Sequence, residues 1–274
     1  MVRRRHVYHV AGYDPMDAGA QYRRFARQLD VFRRTWNVDA SVSALEQASD
    51  KCRAWWTVRA RGPNWQVEAV HEALLARARD AALDEIVIVG HSLGAMLVLD
   101  VIVRALARDA DFGRGGTAVC VLTIGATIPK FALHPRARAI RRRIAEVAAE
   151  PSIAWTEYQS RADTISFYKF DPVSLRHIAD DRLDGKPVIR RVQIHDMLLP
   201  ETFARCRTHV LRLHYRSVMA NDRRAPYDYF LMVCGPVAFS DWTISPLGLL
   251  DFLAADGACR DASRPRPVAA QPSV

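Results

Sequence analysis

Gly90, Ser92 and Gly94 set one hydroxyl between two residues that lack side chains, inside the run IVIVGHSLGAML at 86–97. A serine presented in this way is a candidate nucleophile: given a base to take its proton, its oxygen can attack an electrophilic carbon. The G-x-S-x-G spacing alone arises by chance in roughly one chain in ten of this length, so the surrounding pattern has to carry the reading. EIVIVG (85–90) is a continuous apolar run of the kind expected for a central strand covered on both faces. LGAMLVLDVIVRALARD (93–109) has the length and apolar content of a helix packed against that sheet. A tight strand-to-helix turn holds its serine in a strained backbone conformation that lifts Oγ clear of the sheet. Side chains two residues before and after would collide where strand and helix approach, so both sites favour glycine. Ser92 and the backbone N–H of Leu93 then lie at the positive end of the helix dipole, which favours a developing anion. The competing use of such a turn is to cradle a phosphate, but neither G-x-G-x-x-G nor G-x-x-x-x-G-K-[ST] stands here, and Gly113 to Gly116 lie in a loop before a strand.

The rest of the chain must position that turn. Short apolar runs rich in β-branched residues alternate with helical patterns, the rhythm of βα units and a mostly parallel central sheet flanked by helices on both faces. HVYHVAG (6–12) reads as the first strand, followed by a helix over 18–34 with Tyr22, Phe25, Leu29 and Phe32 at helical spacing. Two strands are expected at 36–45 and 53–60, then a helix from the N-cap Asn64 to about residue 80. Beyond the elbow, AVCVLTIG (118–125), SIAWTEYQ (152–159) and VIRRVQI (188–194) read as strands. RARAIRRRIAEVAAE (136–150) is a charged helix with a narrow apolar stripe, and 200–220 carries one more helical pattern. No internal repeat is visible. Residues 1–255 read as a single α/β domain, and the tail 256–274, with SRPRPVAAQPS, has lost its periodicity and is expected to be disordered.

Composition limits the function classes. The 274 residues are half hydrophobic, enough for a sizeable core, and carry a formal net charge of +9 that is almost all arginine. Anionic partners are favoured, but the charge is scattered; Arg3 to Arg5 and Arg141 to Arg143 are the tightest groups, and no basic helix with interleaved aromatics accompanies them. A nucleic-acid function is therefore not expected, whereas peripheral contact with anionic lipid remains open. The five cysteines are odd in number, widely spaced and without a C-x-x-C pair, which points to reduced thiols in the cytoplasm and away from a zinc site. Tyr8, His9 and Gly12 interrupt what would have to be an apolar signal core, and the apolar stretch 229–239 is too short to span a bilayer.

On GHSLGA, placed between strand and helix, the chain resembles the α/β-hydrolase superfamily, in the form common among serine lipases and esterases. Strand and helix order from His6 to about Tyr215 is compatible with that fold. The resemblance implies an acid and a base after the serine, in the order Ser, Asp or Glu, His. Ser160-Arg-Ala-Asp163-Thr-Ile165, just after a strand, is similar to the stretch that carries the acid in many lipases, with Asp171 as the alternative. Of the nine histidines, His6, His9, His71 and His91 precede or belong to the elbow, His134 precedes the acid, and His177 follows it too closely. His195 ends a strand, His209 shares a face with Arg205 and Arg212, and His214 shares one with Val210 and Val218. His214 is preferred because its distance from Asp163 leaves room for the last core strand that the resemblance implies, and His195 stays the alternative. The oxyanion hole would combine the N–H of Leu93 with that of Tyr13, since VYHVAGYDP is similar to the strand-glycine turn of lipases.

What the resemblance implies is a serine hydrolase that cleaves a small carboxylic ester or thioester through an acyl-serine intermediate, without metal or organic cofactor. Two segments are candidates for an acyl pocket: 128–147, between strand and acid, and the apolar 225–255. The rival expectations are a catalytically silent α/β-hydrolase-fold binding module and a peripheral membrane protein in which arginines and the C-terminal apolar segment meet anionic lipid.

Overall fold

All seven residues of the strand Glu85–His91 are buried, and its side chains divide alternately between two separate apolar layers. That is the period of two expected of a strand covered on both faces. In the computed structural model, which describes residues 4–11, 18–36, 74–75, 77–80, 83–245 and 247–254, this strand is β2. It follows β1 (Arg5–Val10) and helix α1 (Ala18–Trp36) and precedes α2 (Gly94–Arg108) and β3 (Ala118–Ile124). Helices α3 (Ile128–Ala132) and α4 (Arg138–Ala149) lead to β4 (Ile153–Ser160), a small antiparallel pair β5 (Phe170–Asp171) and β6 (Arg176–His177), and β7 (Val188–Val192). The chain continues through α5 (Ile194–Met197), α6 (Pro200–Cys206), α7 (Val210–Arg216), α8 (Tyr229–Cys234), α9 (Phe239–Ile244) and a 3-10 turn (Gly248–Phe252). Strands β1, β2, β3, β4 and β7 lie side by side in that order, every neighbouring pair parallel.

On one face Ile86 and Ile88 pack with Ala95, Val98 and Ile102 of α2, and Ile144 and Val147 of α4 join the same layer. On the other, Val87 and Val89 share a layer with Phe32 and Trp36 of α1 and with Phe230, Leu231 and Trp242 from the C-terminal helices. The apolar segment 225–255 therefore mostly joins the core: Tyr229, Phe230, Leu231, Phe239 and Trp242 are buried, while Ile244 and Leu247 are exposed. Polar ties fix it there. The Arg5 guanidinium pairs with Glu85 and donates to the carbonyls of Gly235 and Val237, at 2.7 and 2.6 Å. Trp36 Nε1 donates to Asp228 Oδ2 at 2.7 Å, while Asp228 Oδ1 caps α8 by accepting from Leu231 N. No helix among the described residues is long and apolar enough to cross a membrane.

The expected strands at 36–45 and 53–60 and the tail lie outside the described residues, except that Trp36 ends α1. Of the expected helix near 64–80 the structure describes Leu74, Leu75, Arg77 and Ala78, which are helical, and Arg79 and Asp80, which are not. The pattern at 200–220 is not one helix but two, α6 and α7, because the chain turns at Arg207 to His209: His209 N donates to the Cys206 carbonyl at 2.9 Å and His209 itself is extended. The turn resets the helical phase. Val210 is exposed while Leu213 and His214 face inward, so Val210 and His214 do not share a buried face.

Beneath the β5–β6 pair, β4 buries a carboxyl. Thr123 Oγ1 donates to Glu157 Oε2 at 3.0 Å and Gln159 Nε2 donates to Glu157 Oε1 at 2.7 Å and to the Phe170 carbonyl at 2.6 Å. Burial pushes Glu157 up to about 7, against the pull of those two donors. A carboxyl that holds its proton in the fold and releases it when unfolded contributes stability below about 4.5, and that contribution is lost as pH rises to about 7. Glu157→Gln keeps the shape without the charge. In urea melts at pH 5 and pH 8, the unfolding free energy of the variant relative to wild type should rise by about 2 kcal/mol at the higher pH; an unchanged difference would show that Glu157 ionises freely.

Candidate functional site

The last residue of β2 is His91 and the first of α2 is Gly94, so strand becomes helix across two residues. Ser92 carries the conformational cost, with φ at +58°, a left-handed value that a side chain disfavours by about 1–2 kcal/mol. Its main chain is pinned: Ser92 N donates to the Ile124 carbonyl at 3.1 Å, and Ser92 O accepts from Ala95 N at 3.2 Å and Thr127 N at 3.4 Å. The flanking glycines are spatial necessities. A Cβ on Gly94 would stand 1.9 Å from the Val10 carbonyl oxygen, and one on Gly90 would stand 2.6 Å from Ala95 Cα. The Leu93 N–H, in the first turn of α2, has no acceptor among the described residues. It is therefore available to an anion at the positive end of the helix.

Asp163 sits three residues beyond β4 and is buried. Its Oδ1 accepts from Ile165 N at 3.0 Å and its Oδ2 meets His214 Nδ1 at 2.8 Å, closing a contact across 51 residues of chain. Burial opposes ionisation of this carboxyl, but the hydrogen bond and charge of His214 and the Ile165 N–H outweigh it and hold Asp163 below the ordinary carboxylate range. An ionised Asp163 accepts the Nδ1 proton, which leaves Nε2 as the ring nitrogen turned away from the carboxylate. The pair lies over Gly125, where φ is +54° and a Cβ would stand 3.0 Å from Asp163 Oδ2 and 3.3 Å from His214 Cε1. Gly125 directly follows Ile124, the residue that accepts from Ser92 N. The imidazole and the serine thus occupy the C-terminal ends of adjacent strands. His214 Nε2 is buried without a partner among the described residues, and no hydrogen bond joins it to Ser92 Oγ.

The alternatives are placed elsewhere. Asp171 lies in β5, where Val173 N, Ser174 Oγ and Arg182 Nη1 occupy its oxygens at 2.9, 2.7 and 2.7 Å. His195 is exposed in α5 with Nε2 2.9 Å from Asp196 Oδ1, and His134, His177 and His209 are exposed as well. Tyr13 and Gly12 lie outside the described residues. No group of three His, Cys, Asp or Glu side chains suited to a metal occurs among the described residues.

Sequence reasoning assigned no role to His91 or Gly125. The His91 ring lies 4.5 Å from that of His214 and 5.3 Å from that of Tyr215, and its Nε2–H donates to the His214 carbonyl at 3.2 Å. Burial, reinforced by the nearby His214 and His9, pushes its pKa well below the usual histidine value. It stays neutral and holds the backbone of the residue whose ring it packs against. The sequence signal was present but weak: a histidine buried inside an otherwise apolar strand needs a polar partner.

Two substitutions test this geometry. Gly94→Ala forces α2 away from β1 and should lower the unfolding free energy in urea by about 3 kcal/mol or more, whereas Gly115→Ala, in open space, serves as the neutral control. Asp163→Asn should cost about 1–3 kcal/mol at pH 7. Because Asp163 is held below its ordinary value, its stabilisation is present above about 3.8 and fades as pH falls through the folded pKa, so the difference from wild type should narrow there. A comparison with protein-family models, with curated proteins and with solved structures finds no match to this chain, so the geometry of the site itself carries the functional reading.

Proposed function

We propose that the chain is a serine hydrolase of the α/β-hydrolase fold, cleaving a carboxylic ester or thioester through an acyl-serine intermediate. The observation that carries this reading is the buried Asp163–His214 pair, lying over the residue next to the strand end that pins Ser92. The order Ser92, Asp163, His214 along the chain, on a parallel sheet with helices on both faces, supports the fold assignment.

In this mechanism His214 Nε2 takes the Ser92 proton as Oγ attacks the acyl carbon. Asp163 holds the ring by its Nδ1–H and stabilises the imidazolium that forms. The Leu93 N–H faces the oxyanion, and the second donor is assigned to Tyr13 from the sequence alone. His214 then returns the proton to the leaving alcohol or thiol. Water, deprotonated by the same nitrogen, attacks the acyl-serine, and the acid departs with Ser92 regenerated. The free thiols of Cys120, Cys206 and Cys234 fit a cytoplasmic setting. A catalytically silent member of the same fold is the second reading, favoured by the missing hydrogen bond between Ser92 and His214; such bonds commonly tighten only when substrate is bound.

Labelling with a fluorophosphonate probe separates the two. Wild type should label, Ser92→Ala should not, and His214→Gln should label on the order of 100- to 10,000-fold more slowly, while His195→Ala labels like wild type. Well-folded wild-type protein that fails to label at Ser92 would sink the hydrolase reading.

A further inference from the structure

The C-terminal apolar segment, the sequence's candidate for meeting lipid, goes mostly into the core, with Ile244 and Leu247 left exposed and no run of basic residues beside them. A different surface combines charge with exposed apolar groups. Not one acidic residue stands between Asp111 and Glu146, while Lys130, Arg136, Arg138, Arg141, Arg142 and Arg143 fall within that interval. Phe131 and Leu133 lie among them, 40% and 50% exposed. Lys130, Arg136 and Arg138 are exposed and form no ion pair with a described residue. Arg141 donates to the carbonyls of Ala132, His134 and Pro135, which folds the loop after α3 back on α4 without neutralising the charge. The segment is thus held as a shaped, basic, partly apolar face.

Its location ties it to the site. Thr127, which precedes α3, donates its N–H to the Ser92 carbonyl, and α3 begins three residues after the glycine beneath His214. A second exposed apolar pair, Val210 and Leu211 at 51% and 63%, stands on α7, the helix that carries His214.

We propose that the face formed by residues 127–143 docks on an anionic lipid surface, with Lys130, Arg136 and Arg138 against the headgroups and Phe131 and Leu133 inserted among the acyl chains. Charge complementarity selects the anionic partner: each basic side chain near such a surface contributes about 1 kcal/mol, or roughly fivefold in affinity. The exposed apolar pair selects lipid over nucleic acid, whose phosphates would be served by the cations alone. Docking on this face brings α3, which begins three residues after the glycine beneath His214, against the bilayer. It goes beyond the proposed chemistry and does not require it.

Co-sedimentation of the full chain with vesicles tests the inference. Wild type should bind vesicles of phosphatidylcholine mixed with phosphatidylglycerol, weakly or not at all vesicles of phosphatidylcholine alone, and less as salt is raised. Replacing Lys130, Arg136 and Arg138 together by alanine should weaken binding about 100-fold, and R136A or R138A alone about fivefold, which keeps the test open if the triple variant folds poorly. F131S with L133S should weaken binding on the order of tenfold or more with unchanged near-UV circular dichroism. Ser92→Ala should bind like wild type, so failure of the hydrolase reading leaves this one standing. Equal affinity for neutral and anionic vesicles, no binding to either, or tighter binding to a nucleic-acid duplex than to anionic vesicles would each overturn the proposal.

Discussion

The close approach of β1 and α2 is the constraint on which the rest of the site depends. With Gly94 pressed against the Val10 carbonyl and Gly90 against Ala95, strand and helix leave room for no gradual connection, and Ser92 is driven to positive φ. The strain persists because the neighbours over-determine it: the Ser92 main chain is bonded to β3, to α2 and to Thr127 at once. Since the five described strands of the main sheet are all parallel, the same edge receives the loop after β3, with Gly125, and the loop after β4, with Asp163. One packing constraint therefore places the hydroxyl, and the common polarity of the strands brings the carboxyl and imidazole to the same end.

The buried carboxyls show how donors and depth together determine charge in this protein. Glu157 and Asp228 are pushed upward, to about 7 and about 6, because burial exceeds what neutral amide, hydroxyl and indole donors return. Asp163 and Asp171 are buried too, yet both are held below the ordinary range because each adds an imidazole or a guanidinium to its neutral donors. Asp171 satisfies its bonds within a turn and with Arg182, which is what a structural carboxylate does. Asp163 spends one oxygen on its own loop and the other on a ring whose far nitrogen has no partner among the described residues. That asymmetry, a fully satisfied acid holding an incompletely satisfied imidazole, is what supports the proposed pairing of Asp163 and His214 as acid and base.

How much of this is legible in the sequence depends on whether the signal is local. The elbow is legible because its period changes from two to 3.6 within five residues and glycine is the only residue its two flanks accept. The strands at 85–90 and 118–125 are legible as uninterrupted apolar runs, since a strand buried on both faces has no polar alternation to blur its ends. Asp163 can be found by its place after a strand and by resemblance, but its loop carries no pattern that points to His214. The histidine is harder still. A single helix over 200–220 would put His214 on the exposed face of Val210, and only the turn at Arg207 to His209 brings it inward. That turn is set by long-range packing, with Cys206 and Leu213 both anchored in the layer beneath the sheet.

The element that holds His214, the proposed base, in place is supplied by the elbow itself through His91. Helix α7 is only seven residues long, too short to be stable on its own propensity. Its position rests on tertiary contacts, and two of them reach His214 directly: Asp163 at the ring and His91 at the backbone carbonyl. The residue beside Ser92 thus bonds the carbonyl of the residue that pairs with Asp163, so displacement of either loop is felt at the serine. Since burial keeps His91 neutral, it lies against the His214 ring without placing a positive charge there. A lysine or arginine at position 91 would meet the same carbonyl, but its fixed charge would oppose the protonation of His214 that the proposed mechanism requires.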